Sequence, residues 1–534
     1  MSPRHPYIHV ILALFLIPVL GGCLHGERGG GDSAKGRPNI ILILADDLGY
    51  GDLGVYGQQK IETPNLDKLA AGGMIFTQHY AGAPVCAPSR CVLLTGLHPG
   101  HAAIRGNDEW ASRGEVWNYA KAVEDPNLEG QRPIPEGIPT LGTLLQSAGY
   151  YTAMVGKWGL GAPLTESVPN NRGFDYFFGY NCQRQAHTYY PRHLWKNREK
   201  VWLDNELVVP GTPLDPEEDP LDPESYRRYR LQEYAPELMQ QEVLECIRAN
   251  ANRPFFLYYA TPIPHVPLQA PGEWVDYYVN KFGDEPPYDG SQGYFPCRYP
   301  KATYAAMVSY LDHQVGEIVE ELRALGLTDQ TMVIFTSDNG PTYNGGTRSP
   351  WFGSGAPFES EYGKGKGFVQ EGGIRVPMVV SWPGVVEPGT VSEHISAFYD
   401  LLPTLCEVAG TRIPENTDGA SFLPVLQGKS GCPGNSYYYW EFPEYGGQVA
   451  IRMGNWKGIA REIIERNEIR FELYDLETDT LEHHDLAPLH PEIIEAFHRI
   501  VRAEHVQPEI EKFRMIPLGD SLSGAADQIS HGGT

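Results

Sequence analysis

A chain of 534 residues, 41% hydrophobic and 20% charged, is long enough to bury a large core and too apolar to be a disordered or fibrous polymer. Its 67 acidic against 42 basic side chains give a net charge of −25, a field that excludes nucleic acid and a bare anionic membrane surface as partners. The same field requires a local cluster of cations wherever an anionic substrate is to bind.

Arg4 and His5 precede an apolar run from Ile8 to Leu20, the pattern of a secretory signal, and the run is too short to span a bilayer. Gly21 and Gly22 directly before Cys23 resemble a lipobox. That predicts removal of residues 1–22 and a lipid on the Cys23 thiol, placed there by lipoprotein-processing enzymes. The Gly-rich, polar residues 23–36 then read as a flexible tether. The expected location is outside the cytoplasm, in the cell envelope, with the lipid as the only membrane contact. None of the eight cysteines forms a CxxC pair, so a zinc or iron–sulfur site has no support. Beyond Cys23 and Cys86, the remaining six are open to disulfide pairing or to burial as free thiols.

Apolar runs of strand length follow at 39–45, 151–155, 255–260, 331–336 and 376–381. Continuous runs of this kind suit the buried strands of a largely parallel sheet. Between them, Thr63-Pro64 opens a helix that ends at Gly72-Gly73, and a second helix at about 301–325 carries Met307, Val308, Leu311, Val315, Ile318, Val319 and Leu322 on one stripe. The fold class is α/β, a large and mostly parallel central sheet flanked by helices over residues 37–430. From 431 to 520 the texture changes. Short strands at 437–441, 448–453 and 471–475 and a helix at 491–505 predict a smaller antiparallel unit, and 521–534 reads as a disordered tail.

Polar residues stand just beyond four of the predicted strands: Asp46-Asp47, Gly156-Lys157, the segment from Thr261 to His265, and Asp338-Asn339. In open α/β sheets ligands collect at the carboxyl ends of strands, so these groups are expected to meet.

The segment Cys86-Ala87-Pro88-Ser89-Arg90, continued by Leu93-Leu94-Thr95-Gly96, resembles the signature of the formylglycine-dependent sulfatases of the alkaline-phosphatase superfamily. The resemblance extends through Asp46-Asp47, Thr63 to Asp67, Gly156-Lys157-Trp158, His265, Asp338-Asn339-Gly340 and Gly365-Lys366-Gly367 to Glu371-Gly372-Gly373, nearly the whole mature chain. It implies that Cys86 is oxidised to formylglycine by a maturation enzyme. It also implies that Arg90 steadies the aldehyde hydrate, that Lys157 and Lys366 hold sulfate oxygens, and that His265 protonates the leaving oxygen. Lys364 competes with Lys366, and the five-residue distance to Glu371 favours Lys366.

The chemistry is consistent with that assignment. An enzyme sulfated on an ordinary hydroxyl would need a second hard displacement, whereas one hydroxyl of an aldehyde hydrate attacks sulfur and the other expels sulfate. Asp46, Asp47, Asp338, the Asn339 amide and an oxygen on residue 86 form an all-oxygen donor set, which selects Ca²⁺ ahead of Mg²⁺ and both over Zn²⁺. One departure is Gly159, where many relatives have a histidine that contacts the hydrate. Gly-Lys-Trp-Gly-Leu-Gly with the downstream segment 180–191 resembles bacterial polysaccharide sulfatases. From that segment, His187 is expected to enter the site in place of the missing histidine, and Arg184 to contact substrate. Trp110, Trp195 and Trp202, expected in long loops, are candidate stacking surfaces for sugar rings. The expected activity is hydrolysis of a sulfate ester on a carbohydrate. A phosphonate or phosphodiester hydrolase and a non-catalytic sulfated-glycan binder are the alternatives.

Overall fold

Residues 39–45 are apolar at every position, and both faces of the strand they form are covered. Ile40, Leu42 and Leu44 enter one hydrophobic core while Ile41, Ile43 and Ala45 enter another, so the two-residue period of the strand divides the molecule into layers. The computed structural model describes residues 36–429, 431 and 434–521. The expected signal segment, Cys23, the tether up to residue 35, Cys432 and the tail from 522 onward lie outside the described residues. No helix among the described residues is long and apolar enough to cross a membrane.

The strands in chain order are β1 (Asn39–Ala45), β2 (Met74–Phe76), β3 (His79–Tyr80), β4 (Tyr151–Lys157), β5 (Tyr176–Tyr180), β6 (His193–Lys196), β7 (Glu199–Trp202) and β8 (Phe255–Ala260). They continue as β9 (Thr331–Ser337), β10 (Met378–Ser381), β11 (Thr390–Ser392), β12 (Ser396–Ala397), β13 (Tyr438–Phe442), β14 (Gln448–Met453), β15 (Trp456–Ala460) and β16 (Phe471–Asp475). Among the described residues, ten of these form one sheet in the order β11-β2-β10-β9-β1-β8-β4-β5-β6-β7. Its centre, β9-β1-β8-β4-β5, is parallel. The run at 376–381 departs from the parallel expectation. It becomes β10, starts only after Pro377, which has no N–H for a ladder, and runs antiparallel to both β9 and β2.

Helices cover both faces. On one side lie α1 (Pro64–Ala71) and the helix Pro300–Ala324, whose predicted stripe packs into the core around Ile41 and Ile43. On the other lie α2 (Cys86–Thr95) and the helix Phe398–Ala409.

β13 to β16 make a separate antiparallel sheet, closed over by the helix Pro491–Glu504. Trp440, Phe442 and Ala450 of this sheet share the core of α2, and Trp440 Nε1 donates to Ala81 O at 2.9 Å. A buried charge cluster adds to the joint. Lys457 Nζ of β15 lies 2.8 Å from Glu371 Oε1 and 2.7 Å from the Glu482 carboxylate, and Arg375 donates to Glu371 Oε2 at 2.8 Å. Burial works against the charge of Glu371, but Lys457, Arg375 and Arg452 more than offset it and hold the carboxyl well below its usual range.

Candidate active site

Four neighbouring strands, β9, β1, β8 and β4, end on the same edge of the sheet because they are parallel and in close register. Asp46 and Asp47 follow β1. Asp46 N–H is held by Ile263 O at 3.0 Å, and Asp47 adopts φ 64°, a left-handed conformation that aspartate tolerates better than bulkier residues. That turn lets Asp47 N–H donate to Asp338 Oδ1 at 3.1 Å, tying the end of β1 to the end of β9. Lys157 is the last residue of β4 rather than the first beyond it. Gly156 before it has φ 116°, and a Cβ there would meet Ala260 O of β8 at 1.9 Å, so only glycine lets the two strands approach. His265 follows β8, with its segment fixed by Tyr189 OH, which donates to Pro262 O and His265 O at 2.6 Å.

Cys86 is the first residue of α2, which begins two residues before Pro88, at the positive end of the helix. Arg90 on the next turn is wholly buried. Its Nε and Nη2 donate to Asp338 Oδ2 at 3.0 and 2.9 Å, Nη2 stands 3.2 Å from Asp46 Oδ2, and Nη1 donates to Lys157 O. Arg90 therefore orients the carboxylates rather than reaching into open space.

Lys157 Nζ donates to Asp46 Oδ2 at 2.6 Å, and Lys366 Nζ donates to Asp47 Oδ2 at 2.7 Å and lies 3.6 Å from Cys86 Sγ. Cys86 Sγ is 3.5 Å from Asp46 Oδ1, and His265 Nε2 is 3.6 Å from Asp47 Oδ2. Burial works against the charge on Asp46, yet Lys157, His265, Arg90 and Lys366 together hold it well below the ordinary carboxylate range. Burial pushes Asp338 up to about 7, aided by Asp46 and opposed by Arg90. Burial and the nearby Asp46 push the Cys86 thiol up to about 12, which leaves it protonated and a poor nucleophile as it stands. Burial and then Lys366 press the His265 imidazole well below its usual value.

Donor atoms of Asp46, Asp47, Cys86 and His265 all lie within 4.8 Å of one another, a grouping able to hold a cation. Asn339 donates through Nδ2 to Asp47 Oδ1 at 2.8 Å, while its buried Oδ1 has no hydrogen-bond partner. An orphaned carbonyl oxygen beside two carboxylates fits a hard divalent cation. His265 belongs to this grouping by distance, although the resemblance implies a role for it at the sulfate and the leaving oxygen and not among the cation's ligands.

A cavity of about 480 Å³ opens above these residues, lined by Cys86, Lys157, His187, His265 and Lys366 together with Asn107, Gln183, Tyr294, Glu444 and Tyr445. The chain matches the family described as Sulfatase over residues 38–411. It belongs to the sulfatase family. Residues 361–505 also match the family described as N-sulphoglucosamine sulphohydrolase, C-terminal. Human arylsulfatase A is 34% identical over 435 residues, 79% of this chain and 74% of that protein. Human N-acetylgalactosamine-6-sulfatase is 35% identical over 405 residues, 75% and 68% of the two chains. The crystal structure of Ps i-CgsB in complex with k-i-k-neocarrahexaose is similar with a TM-score of 0.69 and 28% identity, covering 89% of this chain and 94% of that one. The protein is thus a sulfuric ester hydrolase.

In this sulfatase Lys366 and not Lys364 reaches the site, because Lys364 is spent on Glu359 and on His483 Nε2 at 3.2 Å. His187 stands on the cavity wall, its ring stacked on His265 at 5.6 Å between centroids. Burial and the neighbouring His265 hold its imidazole well below the usual value. Arg184 faces away from the anion-binding residues, its guanidinium donating to the carbonyls of Val116 and Trp117. Gly159 has φ 74°, and a Cβ there would lie 2.9 Å from Gln183 Cγ, so Gln183 fills the space a side chain at 159 would occupy. Of the tryptophans expected in loops, Trp195 and Trp202 instead form the β6–β7 hairpin at the sheet edge, and neither lines the cavity. Cys91, Cys182, Cys246, Cys297 and Cys406 are buried free thiols.

Proposed function

We propose that this sulfatase removes sulfate from a carbohydrate, with Cys86 carried as formylglycine and one divalent cation, Ca²⁺ ahead of Mg²⁺, among Asp46, Asp47, Asp338 and Asn339. The observation that carries this reading is the meeting of Cys86 and Lys366 in one cavity lining with Asp46 buried behind them, Sγ lying 3.6 Å from Lys366 Nζ and 3.5 Å from Asp46 Oδ1. The hydrated aldehyde supplies a hydroxyl nucleophile and then a route for sulfate release, and the cation supplies positive charge against the sulfate oxygens.

The chain's own residues do the rest. Lys157 and Lys366 give the local positive field that the net charge lacks, and they sit where water is largely excluded, which strengthens that field. Arg90 fixes Asp338 and Asp46 so that their oxygens keep one geometry. His265 is placed to hand a proton to the departing sugar oxygen, since an anion in the cavity counters the burial that keeps its imidazole neutral. His187, stacked on it and lining the same cavity, is assigned as the base for a second proton transfer. The carbohydrate assignment draws on N-acetylgalactosamine-6-sulfatase and on the neocarrahexaose complex among the relatives. Export, lipid attachment at Cys23 and dependence on a maturation enzyme complete the proposal.

The test is mass spectrometry of the peptide containing Cys86, from a host able to make the aldehyde, together with assay of inorganic sulfate from sulfated sugars. Aldehyde and sulfate release are expected together. An active preparation with only unmodified cysteine would overturn the mechanism.

A further inference from the structure

A second cavity of about 490 Å³ adjoins the first, and Asn107, Gln183, His187 and Tyr294 line both. Its volume falls in the range of ligand sites. None of the groups that hold sulfate or cation lies in it. It is walled instead by Trp117, Arg184, Asp108 and Glu109.

Three features define what fits there. Trp117 is 64% exposed, and the Arg184 guanidinium lies over its ring at 4.8 Å, which holds the indole as an open platform of the kind that takes the C–H face of a sugar. Glu109 Oε2 is buried without a hydrogen-bond partner. Gln183, only 7% exposed, donates through Nε2 to Asn107 Oδ1 at 3.1 Å, and its Oε1 at the junction of the cavities is likewise unpartnered.

Two orphaned acceptors call for O–H or N–H donors. A carboxylate or a second sulfate would bring acceptor against acceptor. The cation in this lining, Arg184, donates to two backbone carbonyls and has its charge set against the Glu109 carboxylate, and Asp108 has its own charge met by Arg132 at 2.6 Å and Lys512 at 3.1 Å. We propose that the second cavity binds an uncharged sugar joined to the sulfated one, with Trp117 as its platform and Glu109 and Gln183 accepting from its hydroxyl or amide groups. The substrate is then read as a disaccharide unit at least, and uronic acids are disfavoured at this position. This inference rests on the carbohydrate sulfatase reading of the first cavity.

The experiment is steady-state kinetics of the aldehyde-bearing full chain on O-sulfated hexoses and N-acetylhexosamines. Each is presented alone, joined to a neutral hexose, and joined to a uronic acid, with an aryl sulfate as reference. The neutral-linked form of the preferred sugar is expected to exceed the monosaccharide in kcat/KM by about tenfold, through KM. Trp117→Ala and Glu109→Gln should each bring that ratio to within roughly twofold of unity while leaving monosaccharide and aryl sulfate turnover unchanged. A wild-type ratio near one, a uronate-linked substrate that does as well, or a ratio untouched by both variants would overturn the proposal. So would turnover of the aryl sulfate with none of the sugars. Failure on every ester, aryl sulfate included, by protein shown to carry the aldehyde strikes the underlying reading instead.

Discussion

Two buried clusters in this molecule use the same ingredients. At the sheet edge, Lys157 and Lys366 meet Asp46 and Asp47; under the small sheet, Lys457 meets Glu371 and Glu482. The second cluster is sealed. Lys457 and Glu371 are completely buried, and their charges serve each other. The first opens on a cavity, contains a thiol and a histidine, and leaves Asn339 Oδ1 unpaired. Ion pairs alone therefore mark neither function nor structure, and the difference lies in whether the charges are spent on one another or presented to a space.

Removing the thiol should break the comparison most completely. Cys86→Ala is expected to lower sulfate release by on the order of 10⁴-fold or more while the melting temperature stays near wild type. Retained turnover in that variant would move the chemistry elsewhere. Lys366→Ala should cost about 10²–10³ in kcat/KM, the scale seen when one donor to a developing anion is lost, with little change in melting temperature. Lys457→Met is the mirror image. It leaves Glu371 and Glu482 buried without their cation and should destabilise the fold by about 3–5 kcal/mol, measured by denaturant unfolding, with kcat per folded molecule unchanged. Equal effects of the two lysine variants on activity and stability would erase the distinction.

The smallest effect belongs to His505, whose ring nitrogens stand 2.9 Å from Glu441 and 2.9 Å from Asp520. Burial lowers its pKa, but the two carboxylates more than offset that and leave it raised. A raised folded pKa stabilises below the unfolded value of 6.5, and that contribution is lost as pH rises through the folded value. Wild type should lose less than about 2 °C in melting temperature across that window, and His505→Gln should lose less still.

The sheet edge was legible in the sequence for a local reason. An apolar run announces a strand, and the polar pair at its end announces where the strand stops, so Asp46-Asp47, Lys157, His265 and Asp338 could each be placed from a few neighbouring residues. α1 and the helix Pro300–Ala324 were legible through their caps and stripe. The cavity walls were not. Asn107, Tyr294, Glu444 and Tyr445 come from loops whose paths depend on packing between distant segments, and no local pattern marks them. Gln183 illustrates the limit. The departure at Gly159 was visible, but that Gln183 fills its space is a contact across the fold between residues on different loops. Arg184 shows the same limit, since the sequence does not say which way a cation in a loop turns, and it lines the second cavity rather than the first. β15 was missed because Trp456–Ala460 is short and carries Lys457, which reads as surface although it is buried.

Cys86 is 2% exposed, set at the start of a helix every residue of which is buried. The cavity reaches the Cys86 side chain, but an enzyme that had to grip the chain on either side of it would find Ala87 to Thr95 buried once α2 is docked between the sheet and the helix Phe398–Ala409. Under the proposed mechanism the aldehyde is then installed on an extended segment before folding, and the fraction of active molecules becomes a race between oxidation and the closing of the core. Variants or temperatures that delay docking of α2 should raise the proportion carrying the aldehyde, and a chain that folds too quickly would be well formed, stable and inert.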